Sequence, residues 1–146
     1  MKEVTSIPFK KLDPDAKLPT KATWDSAGLD LYSLDNAVIG PGETINIRSG
    51  LAVEIPYGYF GGIYARSGLS TIHGIRPANC VAVIDSDYRG QIGIPLHNES
   101  DKVYKIQKGD RVAQLVIQPC LYAVPVEVKE LSDTKRGEYG FGSSGK

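Results

Sequence analysis

The residues best equipped for chemistry lie mid-chain, in Asp85-Ser86-Asp87-Tyr88-Arg89-Gly90. Two carboxylates flank a serine and an aromatic follows, in a composition that favours a turn. A carboxylate ionised at neutral pH can hold a water and take its proton; the plainer reading is that Asp85 and Asp87 cap the backbone of the turn. Arg66-Ser67-Gly68 offers a guanidinium, a hydroxyl and an unobstructed backbone N–H at the head of a short helical turn, parts of an anion site, although the plainer reading of Arg66 alone is a structural ion pair. Asp30 at a strand position either serves a hydrated Mg2+, which favours carboxylates and keeps several waters, or faces solvent. Gln114 by itself is an ordinary polar strand residue, and Tyr88 an interface or core aromatic. Arg136, Phe141, Ser143 and Ser144 sit among glycines near the C-terminus, where they supply donors for a phosphate and a ring for stacking.

Short strands must position these groups. Asn79 to Ile84 is an apolar run rich in β-branched residues, and Gln91 to Leu96 is a second strand pattern, so the pair with the Asp85 turn between them predicts a β-hairpin. Within the first run Cys80 reads as a small core residue. Leu29 and Leu31 alternate with Asp30 and Tyr32, which places the leucines inward and the polar pair outward. Thr44–Arg48, Leu51–Ile55, Tyr59–Tyr64, Val103–Ile106 and Val112–Ile117 continue the series, with Ile39 to Glu43 as a turn. Sixteen Gly and nine Pro puncture the chain into short segments, and turn signals recur about every ten residues, the spacing of a sandwich or barrel. Arg66 to Gly74 is the one short helix. The expected fold is all-β: a jelly-roll-like antiparallel barrel or sandwich with that helix and a flexible C-terminal arm.

At 146 residues the chain fits a single domain, 1–146, with 129–146 as the arm. Lys plus Arg and Asp plus Glu both total 17, so no bulk charge draws it to nucleic acid or an anionic membrane, and any anionic ligand needs a local cluster. Two cysteines without CxxC spacing form neither a disulfide framework nor a zinc site. The N-terminal residues lack the apolar core of a signal peptide and no run approaches a membrane span, so an intracellular location, cytoplasmic or nuclear, is expected.

Five segments in order resemble the trimeric dUTPase family: Ala27-Gly28-Leu29-Asp30-Leu31, Arg66-Ser67-Gly68-Leu69, Val83 to Gly90, Gly109 to Leu115, and Arg136-Gly137 through Gly145. Three departures stand out: Ala65 where a proline usually precedes Arg-Ser, Ala82 where glycine is frequent, and Ser144 for the usual threonine. The resemblance implies Mg2+-dependent hydrolysis of dUTP to dUMP and pyrophosphate by water attack on the α-phosphorus, which limits uracil incorporation into DNA and supplies dUMP for dTMP synthesis. It implies Asp85 as general base, backbone around Asn79, Val83, Ile84 and Gly93 reading uracil, and Tyr88 against the deoxyribose C2′. Arg66, Ser67, Gly68 and Gln114 would hold phosphates, with Asp30 near the metal through water. The arm would bring Arg136 to the γ-phosphate, Phe141 onto uracil, and Gly142, Ser143 and Ser144 as further contacts. A homotrimer is implied, each site closed by a neighbouring subunit's arm.

Two rivals differ in class. The related dCTP deaminase branch shares the fold but lacks the Asp-Tyr-Arg-Gly end and the Arg/Phe arm, and no H-x-E with C-x-x-C zinc signature is present. A nucleotide-sensing or interaction trimer without turnover is opposed by the presence of Asp85.

Overall fold

The computed structural model describes residues 5–141. Eleven short strands and one helix follow in order: β1 Phe9–Lys11, β2 Leu29–Tyr32, β3 Ala37–Ile39, β4 Thr44–Arg48, β5 Leu51–Val53, β6 Tyr59–Tyr64, α1 Ser67–His73, β7 Ile75–Pro77, β8 Ala82–Ile84, β9 Gly93–Asn98, β10 Tyr104–Ile106 and β11 Arg111–Pro119. All ladders are antiparallel. A four-stranded sheet runs β2-β11-β6-β8, a three-stranded sheet runs β4-β9-β7, and β1-β5 and β3-β10 form two-stranded ladders.

The two larger sheets share one core. Leu31, Ile63 and Leu115 from the first meet Ile47, Ile94 and Leu96 from the second in a single cluster of buried side chains. Strand β9 shows the cause in its sequence: Ile94, Leu96 and Asn98 are buried while Gly93, Pro95 and His97 between them are partly exposed, the two-residue period of a pleated strand covered on one face. The polar member, Asn98, is fully buried. Its Nδ2 donates to the Ile39 and Lys102 carbonyls at 2.9 and 2.7 Å, and its Oδ1 accepts from the Ser100 N–H and hydroxyl at 2.9 and 2.7 Å. Burial of an amide is tolerated when its donors and acceptors are met in this way.

The jelly-roll-like, all-β expectation holds, and the helix falls where glycine framing placed it, ended by Gly74. Three local readings need correction. The Asp85 segment is not the tip of a hairpin: β8 pairs with β6 and β9 pairs with β4 and β7, so the turn crosses from one sheet to the other. Two adjacent strand patterns do not reveal whether their ladders are shared. Cys80 is exposed rather than part of the core, because the strand starts only at Ala82 and the thiol lies beside the Arg76 guanidinium at 2.8 Å. Asp30 does not face solvent; it is only 9% exposed, being covered by two arginine side chains. Among the described residues no helix is long and apolar enough to cross a membrane.

Candidate active site

The end of β6 delivers Arg66 to the head of α1, and β2 and β11 lie alongside. Asp30 and Gln114 are cross-strand partners, and Gln114 also faces Tyr64 on β6. Asp30 Oδ1 accepts from Arg66 Nε at 3.1 Å and Oδ2 from Arg111 NH1 at 3.3 Å, while Arg66 NH1 donates to the Arg111 carbonyl at 3.2 Å. Two guanidiniums against one carboxylate leave the cluster with a surplus positive charge. Each guanidinium has five donors, so the contacts with Asp30 and Arg111 leave capacity for an anion. Gln114 Nε2 donates to the Ala65 carbonyl at 2.8 Å, which sets the amide across the mouth of a cavity of about 220 Å3. Gly28, Asp30, Arg66, Ser67, Gly68 and Gln114 line that cavity together with Ala22 and Ser26. At Gly28 there is little room for a side chain: a Cβ there would lie 2.1 Å from Gln114 Oε1, the movable end of that side chain, and 3.1 Å from its Cβ.

The Asp85 turn is built separately. The Tyr88 N–H donates to the Asp85 carbonyl at 3.1 Å, closing a four-residue turn. Arg89 NH1 donates to the carbonyls of Ser86 and Tyr88 at 2.7 and 3.1 Å. The Tyr88 hydroxyl donates to the Gln91 carbonyl at 2.9 Å and lays its ring over Gly90, where a Cβ would come within 2.4 Å of that oxygen. Asp85 is exposed, and its carboxylate has no hydrogen bond or ion pair among the described residues. Val83 and Ile84 belong to β8, the edge of the four-stranded sheet. Alternate residues on such an edge turn N–H and C=O outward, unpaired. Asn79 is exposed in the approach to β8, and Gly93 opens β9 opposite Arg48.

The structure does not bring these two groups together within one chain. Ile84 pairs with Gly61 near the start of β6, whereas Gln114 pairs with Tyr64 at its end. Asp85 is one residue beyond its rung, so four residues along the sheet and two strands across separate it from Gln114, about 16 Å between Cα atoms. Arg66, two residues past Tyr64, lies farther still. The arm reaches neither: Arg136 Nε donates to the Tyr139 carbonyl at 2.9 Å within a local turn, and Phe141 is fully exposed. Gly142, Ser143 and Ser144 lie outside the described residues.

A metal cage is not part of this arrangement. Among the described residues no three His, Cys, Asp or Glu converge, and both oxygens of Asp30 are taken by arginines. The donor set fits only an ion that arrives wrapped in nucleotide oxygens and water, the habit of Mg2+.

Comparison with known proteins decides the family. Residues 14–145 match the sequence profile of the dUTPase family. The chain belongs to the dUTPase family. The deoxyuridine 5'-triphosphate nucleotidohydrolase of Nautilia profundicola is 48% identical over 140 residues, covering 96% of this chain and 99% of its own length. That of Thermobifida fusca is 44% identical, covering 95% of this chain and 78% of its own. Among solved structures, a mutant dUTPase of Staphylococcus bacteriophage 80alpha with dUpNHpp superposes with a TM-score of 0.89 at 31% identity, covering 98% of this chain and all of that one. A mutant dUTPase of S. aureus phage phi11, described for its coordination of a structural Mg(II) ion, gives 0.78 at 28% identity over 86% of this chain and 98% of its own.

Residue chemistry alone offered Asp85, Arg66, Ser67 and Gly68 as candidates beside plainer readings, and Gln114 entered only through the resemblance; four residues that contact this set were missed. Gly28 and Arg111 lie within the dUTPase segments yet act by clearance and by charge on Asp30. Arg89 acts through backbone carbonyls. Tyr122, whose hydroxyl lies 2.9 Å from Ser86 Oγ, has no signal in the sequence at all.

Proposed function

We propose that the protein hydrolyses dUTP to dUMP and pyrophosphate in a homotrimer whose sites draw on more than one copy of the chain. The observation that carries the shared-site part is the separation just described. A base at one end of β6 and an anion pocket at the other are far apart for serving one α-phosphorus within a single chain, which supports a pocket supplied by a neighbour. The unpaired segment after β11 points the same way. Val124, Val126 and Val128 alternate with Pro125 and Glu127 and are all exposed, an apolar strand pattern with nothing to cover it in a single chain.

In this reading the free edge of β8, with Asn79 and Gly93 nearby, offers uracil donors and acceptors that cytosine would mismatch and that leave no room for the thymine methyl. The Tyr88 ring, held flat over Gly90, closes the space at C2′ against a ribose hydroxyl. The Asp85 carboxylate holds a water in line with the α-phosphorus and accepts its proton as the new P–O bond forms. The α–β bridging bond breaks and pyrophosphate leaves, its charge met by Arg66, Ser67, Gly68 and Gln114 of another copy. The arm completes the enclosure, Arg136 toward the γ-phosphate, Phe141 over uracil, and Gly142, Ser143 and Ser144 contributing donors, so that water is excluded only once substrate is bound. Mg2+, when bound, would neutralise charge on the triphosphate, and Asp30 and Asp85 would reach its surroundings through water. The products remove a source of uracil in DNA and leave dUMP for dTMP synthesis.

Mixing two inactive chains tests the division. Asp85→Asn lacks the base and Arg66→Gln weakens the anion pocket; each alone should lose most of its turnover. When they are co-refolded in equal amounts, about a quarter of sites inherit an intact Asp85 and an intact Arg66 from different chains under cyclic symmetry. Activity returning to about that level supports the shared site. A mixture that stays dead, with mixed trimers seen by native mass spectrometry, assigns both groups to one chain and overturns it.

A further inference from the structure

We infer that Tyr122 is a positioning residue for the Asp85 turn, fixing the base through Ser86; the inference rests on the role proposed above for Asp85. Tyr122 follows β11 by three residues, after the Cys120 N–H has tied the chain to the Gly58 carbonyl at 2.8 Å. Its ring stacks on Tyr57, with centroids 4.5 Å apart and planes 17° from parallel. Its hydroxyl accepts from the Gly58 N–H at 3.4 Å and lies 2.9 Å from Ser86 Oγ. The Gly58 amide occupies one lone pair of the phenol oxygen, and in the contact with Ser86 either hydroxyl can be the donor.

Ser86 is therefore held from two sides. Arg89 takes its carbonyl at 2.7 Å and Tyr122 takes its side chain. Ser86 is the residue next to Asp85, within a turn closed by a single backbone hydrogen bond between Tyr88 and Asp85. An exposed turn of this kind has several rotamers and turn geometries within thermal reach, and a base must hold its water within hydrogen-bond distance of the reacting atom. The two clamps remove that freedom. The Tyr57 stack orients the phenol in advance, since an aromatic side chain has only two torsions to fix. Tyr122 as a whole is 46% exposed, so the contact adds little to folding. Its effect falls on the geometry of the turn.

Tyr122→Phe keeps the stack and removes only the hydroxyl; Ser86→Ala removes the other end. Each should lower kcat for dUTP by about three- to tenfold, the range of one net hydrogen bond, with KM within about twofold of wild type and an unchanged melting temperature. The double variant should fall no further than the weaker single, because both substitutions break the same contact. Wild-type kcat in Tyr122→Phe overturns the inference, as do additive losses in the double variant or a loss of melting temperature with kcat and KM changing together. Asp85→Asn in the same series separates the two levels. If it is inert while Tyr122→Phe is unaffected, only the positioning role is lost; if Asp85→Asn turns over at the wild-type rate, the base assignment and this inference fall together.

Discussion

Gly28 offers the sharpest test of how the anion pocket is held. Its backbone does not need a left-handed conformation, so alanine changes clearance alone. The new Cβ would sit 2.1 Å from Gln114 Oε1, 3.0 Å from Cδ and 3.1 Å from Cβ. The amide can swing aside, but then it loses its 2.8 Å bond to the Ala65 carbonyl, a net cost of about 1 kcal/mol. No rotamer relieves the contact with Gln114 Cβ, which belongs to the ladder partner of Asp30. The strands must part by a few tenths of an ångström, and overpacking of this kind costs about 1–3 kcal/mol. The sum, about 2–4 kcal/mol, corresponds to a melting temperature lower by roughly 6–16 °C for a domain of this size. With Gln114 out of place the KM for dUTP should rise by about fivefold. Scanning calorimetry and initial rates check both numbers. Gly28→Ala/Gln114→Ala, which has no amide to displace, should melt no lower than Gly28→Ala alone. A Gly28→Ala protein with melting temperature and KM near wild type would show that the pocket adapts freely and that the close approach has no role.

Two further outcomes follow from the same contacts. Tyr88→Ala, and more mildly Gly90→Ala, which pushes on the Tyr88 ring, should narrow the gap in kcat/KM between dUTP and UTP; an unchanged ratio in both would remove the ring from sugar selection. The hydrogen bond from Arg48, 3.0 Å from its Nε to Asp35, holds the Asp35 carboxyl below its usual range. A depressed folded value adds stability above the unfolded value near pH 4, and that contribution is lost as pH falls through the folded value. Asp35→Asn should therefore lower the urea midpoint at pH 7, with a deficit that shrinks as pH falls below 4, and an equal deficit at pH 7 and pH 3 would contradict it.

Much of the fold was legible because it rests on period. The alternation in Thr44–Arg48 marks β4 to the residue, the aromatic-rich run Tyr59–Tyr64 marks β6, and glycine brackets α1. The three-residue strands β3 and β7 are too short for alternation to appear, and ladder partners are set by tertiary packing, so the crossing from β8 to β9 looked like a hairpin. Asp30 was misread for a related reason: alternation says which way a side chain points, not that two arginines from β11 and the head of α1 will cover it. Part of the anion cluster, Arg66-Ser67-Gly68, could be named from its side chains, whereas Gln114 needed the resemblance and Arg111 was missed. Gly28 and Tyr122 could not be named that way, because one acts by what it lacks and the other reaches Ser86 across 36 positions of sequence.

The gap of about 16 Å between Asp85 and Gln114 also bears on dosage. In the trimer proposed above, a lone chain carries two incomplete halves and turns over nothing. Below the concentration at which copies associate, the trimer population scales as the cube of the chain concentration, and activity per chain as its square. Halving expression in that range would cut output to about an eighth, and a defective copy would poison sites belonging to its neighbours. Synthesis in bulk, rather than any contact within the chain, then sets whether the enzyme is on.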